Sequence, residues 1–133
     1  MTGKEFLTEY AEWFPEKQNL CEEHISEFSE ILPHIFAMQT VNIEINKAFQ
    51  NGDTKYFERL CRFVDHLWHL VCHDDNDEIL NVIEVTILES ISDDKTMWQR
   101  FGSLISGEFR EYINKVVLTG NVIMAHVENL QQR

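Results

Sequence analysis

The stretch FVDHLWHLVCHDD, Phe63 to Asp75, gathers three histidines, one cysteine and three aspartates into thirteen positions. Imidazole, thiolate and carboxylate are the side chains that bind transition metals. His69 and His73 stand one helical turn apart, the spacing that helical zinc sites use. One reading is therefore a metal-binding enzyme or sensor built on His66, His69 and His73, with Asp65, Asp74 or Asp75 adding an oxygen. A partner-binding surface is a second reading, and the solvated outer face of a helix is a third.

Helical phase bears on the choice. Phe57, Leu60, Cys61, Val64, Leu67, Trp68 and Val71 follow the i, i+3, i+4, i+7 pattern, which predicts a helix over Thr54 to about Cys72 with that stripe buried. Advancing about 100° per residue from Phe57 puts Arg59, Arg62, His66, His69 and His73 on the far side. Arg62 on that face would repel a cation, Cys72 points toward the buried flank, and Leu67 after His66 excludes an HExxH motif. No metal and no other cofactor is expected. The stripe remains a candidate contact surface.

Other catalytic signatures are missing. The chain has no glycine-rich phosphate loop, no GxSxG and no CxxC, and Ser103 and Ser106 sit on no recognisable nucleophile elbow. Glu84 and Glu89 lie in the most apolar segment, where an unpaired carboxylate would be costly. Each is expected to reach a helix terminus, a tyrosine or an arginine. A non-enzyme is the expectation.

The elements that must position these groups read as helices. A short amphipathic helix covers Lys4 to Phe14, stopped by Pro15, and a second runs from Glu16 to about Ile31. Pro33 opens a third, about His34 to Gln50, and Asn51-Gly52-Asp53 supplies a glycine stop and an aspartate restart. After the Thr54–Cys72 helix, HDDND breaks the pattern. Positions 78–91 are then apolar nearly all round, which predicts a helix enclosed by the others, with a buried strand as the competing assignment. Met97 to Val117 is helical with an interruption near Gly102 or Gly107, and Val122 to Leu130 forms a last helix. The fold class is all-α: one domain over residues 1–133, an antiparallel bundle of six or seven helices around the central helix near 78–91.

Composition narrows function. At 133 residues and 44% hydrophobic content the chain can bury a core of its own. Its 11 lysines and arginines against 23 aspartates and glutamates give a formal net charge of −12, so it repels nucleic acid and suits a basic partner. No segment nears the roughly 20 apolar residues a bilayer crossing needs, and the start of the chain lacks a signal-peptide core, so a cytoplasmic protein is expected. Cys61 and Cys72 lie eleven residues apart on one helix. That is roughly 16 Å, against the about 7 Å a disulfide allows, so reduced thiols are expected.

If the third, fourth and fifth helices alternate up and down, the loops near Leu32 and Asp74–Asp77 share one end. That end gathers Glu27, Glu30, Asp74, Asp75, Asp77 and Glu78 into an acidic pole. Several of these also favour helix N-termini electrostatically. A cluster of this size would in addition speed the encounter with a cationic partner.

LPHIFAMQTVNIEINKAFQNGD, followed by an aromatic-rich helix and by DNDEILNVIEVTILESI, resembles an uncharacterised all-helical bacterial domain family. The matching positions are Leu32, Pro33, His34, Asn51, Gly52, Asp53, Asp77, Glu78, Leu80, Asn81, Leu88 and Glu89, within about Leu32 to Tyr112. The chain departs from the pattern at Val64-Asp65, where an aromatic-Glu pair is common, and at Ile87, where Phe is common. The segment before Leu32 and the tail after Gly120 fall outside it. Some relatives resemble immunity proteins of contact-dependent growth inhibition systems. The resemblance implies a basic, nuclease-type toxin domain as partner, whose cationic active site an acidic protein can fill. A helical scaffold or homo-oligomer is the remaining alternative.

Overall fold

A computed structural model of the chain describes residues 1–118 and 130. Seven helices make up the described residues, with no strand among them. They are α1 (Gly3–Trp13), α2 (Gln18–Phe28), α3 (33–50), α4 (Thr54–Val71), α5 (78–92), α6 (Lys95–Leu104) and α7 (107–117). A 3₁₀ turn, Pro15–Lys17, joins α1 to α2. The expected last helix, Val122 to Leu130, lies outside the described residues save for Leu130 itself.

The helix ends follow local chemistry. Thr2 and Glu5 form a reciprocal capping box on α1. Asp53, Asp77, Asp94 and Ser106 cap α4, α5, α6 and α7 through side-chain oxygens that accept backbone N–H bonds. Gly52 adopts φ 70° between α3 and α4, as the Asn-Gly-Asp signal requires. The second helix is shorter than its pattern. Pro15 diverts Glu16 and Lys17 into the 3₁₀ turn, and Ser29 ends α2 in the left-handed region at φ 61°. The break between α6 and α7 falls at Ile105 and Ser106, between the two glycines expected to cause it. Arg110 reaches back to the carbonyls of Gly102 (3.0 Å) and Ile105 (2.7 Å), satisfying the exposed end of α6.

The core is aromatic at one side and aliphatic at the other. Phe6, Tyr10, Phe14, Phe36 and Phe63 are fully buried, and Tyr10 meets Phe36 and Phe63 edge to face. Trp68 stacks on Phe109 with ring centroids 4.9 Å apart, which docks α7 on α4. From α5 come Ile79, Leu80, Val82, Ile83, Ile87, Leu88 and Ile91, all buried.

The expectation that α5 is enclosed on every side needs correction. Glu78, Asn81, Val85 and Glu89 form an exposed stripe at helical spacing. The helix is buried on three sides only, and a single exposed valine hides this in a sequence pattern. Three helices carry π-helical turns, at Met38–Asn42, Val82–Ile87 and Ile113–Val117. The first two face each other: Asn42 Nδ2 donates to the Thr86 carbonyl, Asn46 Nδ2 approaches Ser90 Oγ at 3.5 Å, and His34 Nδ1 lies 2.6 Å from Thr86 Oγ1. The successive pairs 42–86 and 46–90 advance together, so α3 and α5 run parallel, as an up-down order with α4 between them demands.

Candidate functional site

Among the described residues no three His, Cys, Asp or Glu side chains come together as a metal's ligands would. His66 instead packs on the Trp13 ring at 5.1 Å and lies 3.4 Å from Glu9 Oε2. His69 turns the other way, to Ser106 Oγ at 3.0 Å. His73 is exposed, with Cys72 Sγ 3.9 Å from its Nε2. Each imidazole belongs to a different neighbour.

The rest of the stripe is less free than its phase suggested. Arg59 is half-buried: its guanidinium lies over the Phe14 ring at 4.7 Å, donates to the Trp13 carbonyl and pairs with Glu16 at 2.8 Å. It fastens the α1–α2 connection to α4. Arg62 pairs with Glu58 one turn back on the solvent side, at 2.7 Å. Helical phase gave the side of the helix correctly. It could not show that α1 lies along one edge of that side and the start of α7 along the other.

One cluster has the composition of a nucleophile site. Ser106 Oγ lies 3.0 Å from His69 Nε2, and His69 Nδ1 lies 3.8 Å from Glu108 Oε2. The hydrogen bonds give it another role. The Ser106 hydroxyl donates to Asp65 Oδ1 (2.9 Å), accepts from the Phe109 amide (3.3 Å), and the Ser106 amide donates to Asp65 Oδ2 (3.1 Å). A hydroxyl whose proton already sits on a carboxylate has none to give His69. The cluster caps α7 and clamps it to α4. Sequence reasoning missed Asp65 in this role. The usable signal was Ser106 followed by Gly107 and Glu108, an N-cap with an acid in the first turn.

The expected acidic pole divides into two parts. Asp77 is structural. Its carboxylate accepts from the amides of Ile79 (2.8 Å) and Leu80 (3.2 Å) and receives the Met1 amino group. Burial works against its ionisation, but the Met1 ammonium and the two amides outweigh it and hold the carboxyl below its ordinary range. With its side chain 8% exposed, Asp77 presents little to a partner. Asp74 is exposed and accepts from the Asn76 amide, shaping the loop. Glu27, Glu30, Asp75 and Glu78 are exposed and make no ion pair among the described residues. The α1 N-terminus links the two loops, since Gly3 sits against Ile31 and Pro33 while Met1 meets Asp77. On α2, Glu22 and Glu23 extend the same charge along an exposed face with Ile25.

Of the two carboxylates in the apolar segment, Glu84 meets its expectation: Tyr112 donates to its Oε2 at 2.5 Å. Burial, reinforced by that carboxylate, pushes the Tyr112 phenol well above its ordinary value. Glu89 belongs to the exposed stripe of α5.

A family model described as a domain of unknown function (DUF7674) matches residues 7–119. The chain belongs to this family. The match begins at Leu7, so α2 and all of α1 but its first turn fall inside the family domain and not outside it, as the resemblance beginning near Leu32 implied. No curated protein and no solved structure matches the chain. Asp65 is the residue that clamps Ser106.

Proposed function

We propose that this chain is a non-catalytic inhibitory binding protein, an immunity protein that neutralises a basic, nuclease-type toxin domain in the bacterial cytoplasm. The observation that carries the reading is the set of exposed carboxylates that have no cationic partner among the described residues: Glu27, Glu30, Asp75 and Glu78, continued by Glu22 and Glu23 along α2. An ion-paired surface carboxylate serves the fold. An unpaired one in a chain of net charge −12 adds repulsion, which a cationic partner relieves. A nuclease active site is built to hold phosphates, and rows of carboxylates can occupy the same positions. The resemblance of some relatives to immunity proteins of contact-dependent growth inhibition systems points the same way. The contact surface on this reading is Glu27, Glu30, Asp74, Asp75 and Glu78, with Asp77 holding the loop that presents three of them.

The test is capture from the native host's lysate at low salt, followed by assay of the retained chain. A basic chain that cleaves nucleic acid alone and is silenced by stoichiometric addition of this protein is the expected result. Reversing Asp74 and Asp75 to lysine should then slow association by about tenfold or more at low salt. A retained chain whose activity is untouched by the protein would overturn the reading.

A further inference from the structure

The outer faces of α1 and α4 enclose a groove of about 500 Å³, with Lys4, Glu5, Thr8, Glu9, Glu12 and Leu70 in its lining. The α1 wall is continuous, because Glu5, Glu9 and Glu12 are spaced by four and three residues and so share one helix face. The α4 wall carries Leu70, 47% exposed. His66 and His73 are its neighbours one turn before and one turn after. At one point His66 Nε2 comes within 3.4 Å of Glu9 Oε2, bringing the two walls together. The histidine-rich stretch thus flanks a groove.

Single exposed leucines are common and need no explanation. Leu70 differs in its surroundings: it lines a concave surface whose facing wall bears three carboxylates and one lysine. An apolar centre with an anionic rim complements a segment that is apolar along one face and cationic beside it. A second copy of this chain would bring its own excess of acid to the rim, and a nucleic acid would bring phosphates. Both are repelled.

We infer that the α1–α4 groove docks a cationic amphipathic segment of a partner protein. One apolar side chain rests on Leu70, and lysines or arginines pair with Glu5, Glu9 and Glu12. The inference does not depend on the inhibitor reading, because it specifies the shape and charge of the docked segment and not its owner's activity.

A synthetic helical peptide of leucine and lysine, with its leucines on one face, is the probe, and the same peptide with serine for leucine is its control. Binding is followed by calorimetry on the full chain. Three surface variants separate groove binding from general attraction to an acidic protein: Glu9→Lys with Glu12→Lys, Leu70→Ser, and the charge-matched pair Glu89→Lys with Asp93→Lys at the exposed end of α5. The groove variants should each weaken the leucine peptide by about tenfold, and Leu70→Ser should abolish the preference for leucine over serine. The α5 pair should change affinity by no more than about twofold. An equal loss in the α5 pair, a leucine preference that survives Leu70→Ser, or no binding to the wild type would each overturn the inference.

Discussion

His24 is the residue whose environment most constrains its protonation. It is 2% exposed, ringed by Phe28 and Phe36, and its Nε2 accepts the Leu32 amide at 2.9 Å. Accepting that bond requires a neutral ring with its proton on Nδ1, an atom that has no partner among the described residues. Burial lowers its pKa below the ordinary value of 6.5, with Glu27 opposing weakly. The unfolded chain therefore takes up the proton first as pH falls. The stability His24 contributes is complete above pH 6.5 and is lost from there down through the folded-state pKa, at no more than about 1.4 kcal/mol per pH unit for one proton. Denaturant unfolding across pH 7 to 5 should show this fall in the wild type and a flatter profile in His24→Gln; parallel profiles would refute it. The thiols offer a second test. Burial pushes the Cys61 and Cys21 thiols up, and both side chains are enclosed, whereas Cys72 is partly exposed. A thiol reagent should label Cys72 under native conditions and the other two only on unfolding, which mass spectrometry of the labelled chain would read. Much of this scale was legible beforehand. The Glu84–Tyr112 bond was within the expectation for a carboxylate in an apolar helix, and the wide separation of Cys61 and Cys72 followed from helix rise alone. The fates of Asp77 and His66 were not legible, because both depend on α1 crossing from far away in sequence.

Helices as units were mostly visible as apolar periodicity, since each needs only local pattern and a cap. Thr54 to Cys72 was read to within a residue because its buried stripe has no miss and Asp53 caps it. What local pattern cannot carry is the clamp between elements. Asp65 and Ser106 are 41 residues apart, and the two bonds between them, with the Phe109 amide capped by the same Ser106 hydroxyl, form the knot that seats the start of α7 on α4. Ser106 read as a hydroxyl without an elbow, and Asp65 as one more acid on a wet face. Asp65→Ala leaves the Ser106 amide and hydroxyl without their acceptor at a part-buried site. The expected loss is about 1–3 kcal/mol. Ser106→Ala alone should cost about 1 kcal/mol as a lost cap. The double variant should fall short of the sum by about 0.5 kcal/mol or more, because each single change already breaks the Asp65–Ser106 bond. Additive losses in urea unfolding would show that the knot is not a unit.

At the scale of the whole molecule, charge sets the balance. The net charge of −12 is spread over 15.8 kDa, and the ion pairs that offset it lie largely at the surface. Arg62–Glu58 and Lys115–Glu111 are exposed one-turn pairs, whose attraction water and salt largely screen. Repulsion among the remaining carboxylates is longer in range than these contacts. At about 0.01 M salt the screening length is about 30 Å, comparable to a small domain, and at about 0.15 M it is about 8 Å. Added salt therefore removes repulsion across the molecule and touches the close pairs less. The thermal midpoint should rise with sodium chloride over that range, by some degrees for each kcal/mol of repulsion removed in a domain this size. The rise should be smaller in Glu22→Lys with Glu23→Lys, which reduces the negative charge by four units without touching the core. A midpoint that falls with salt would mean that attractive pairs outweigh the excess acid. The exposed carboxylates would then be already satisfied within the chain, and the proposal that they wait for a cationic partner would lose its physical basis.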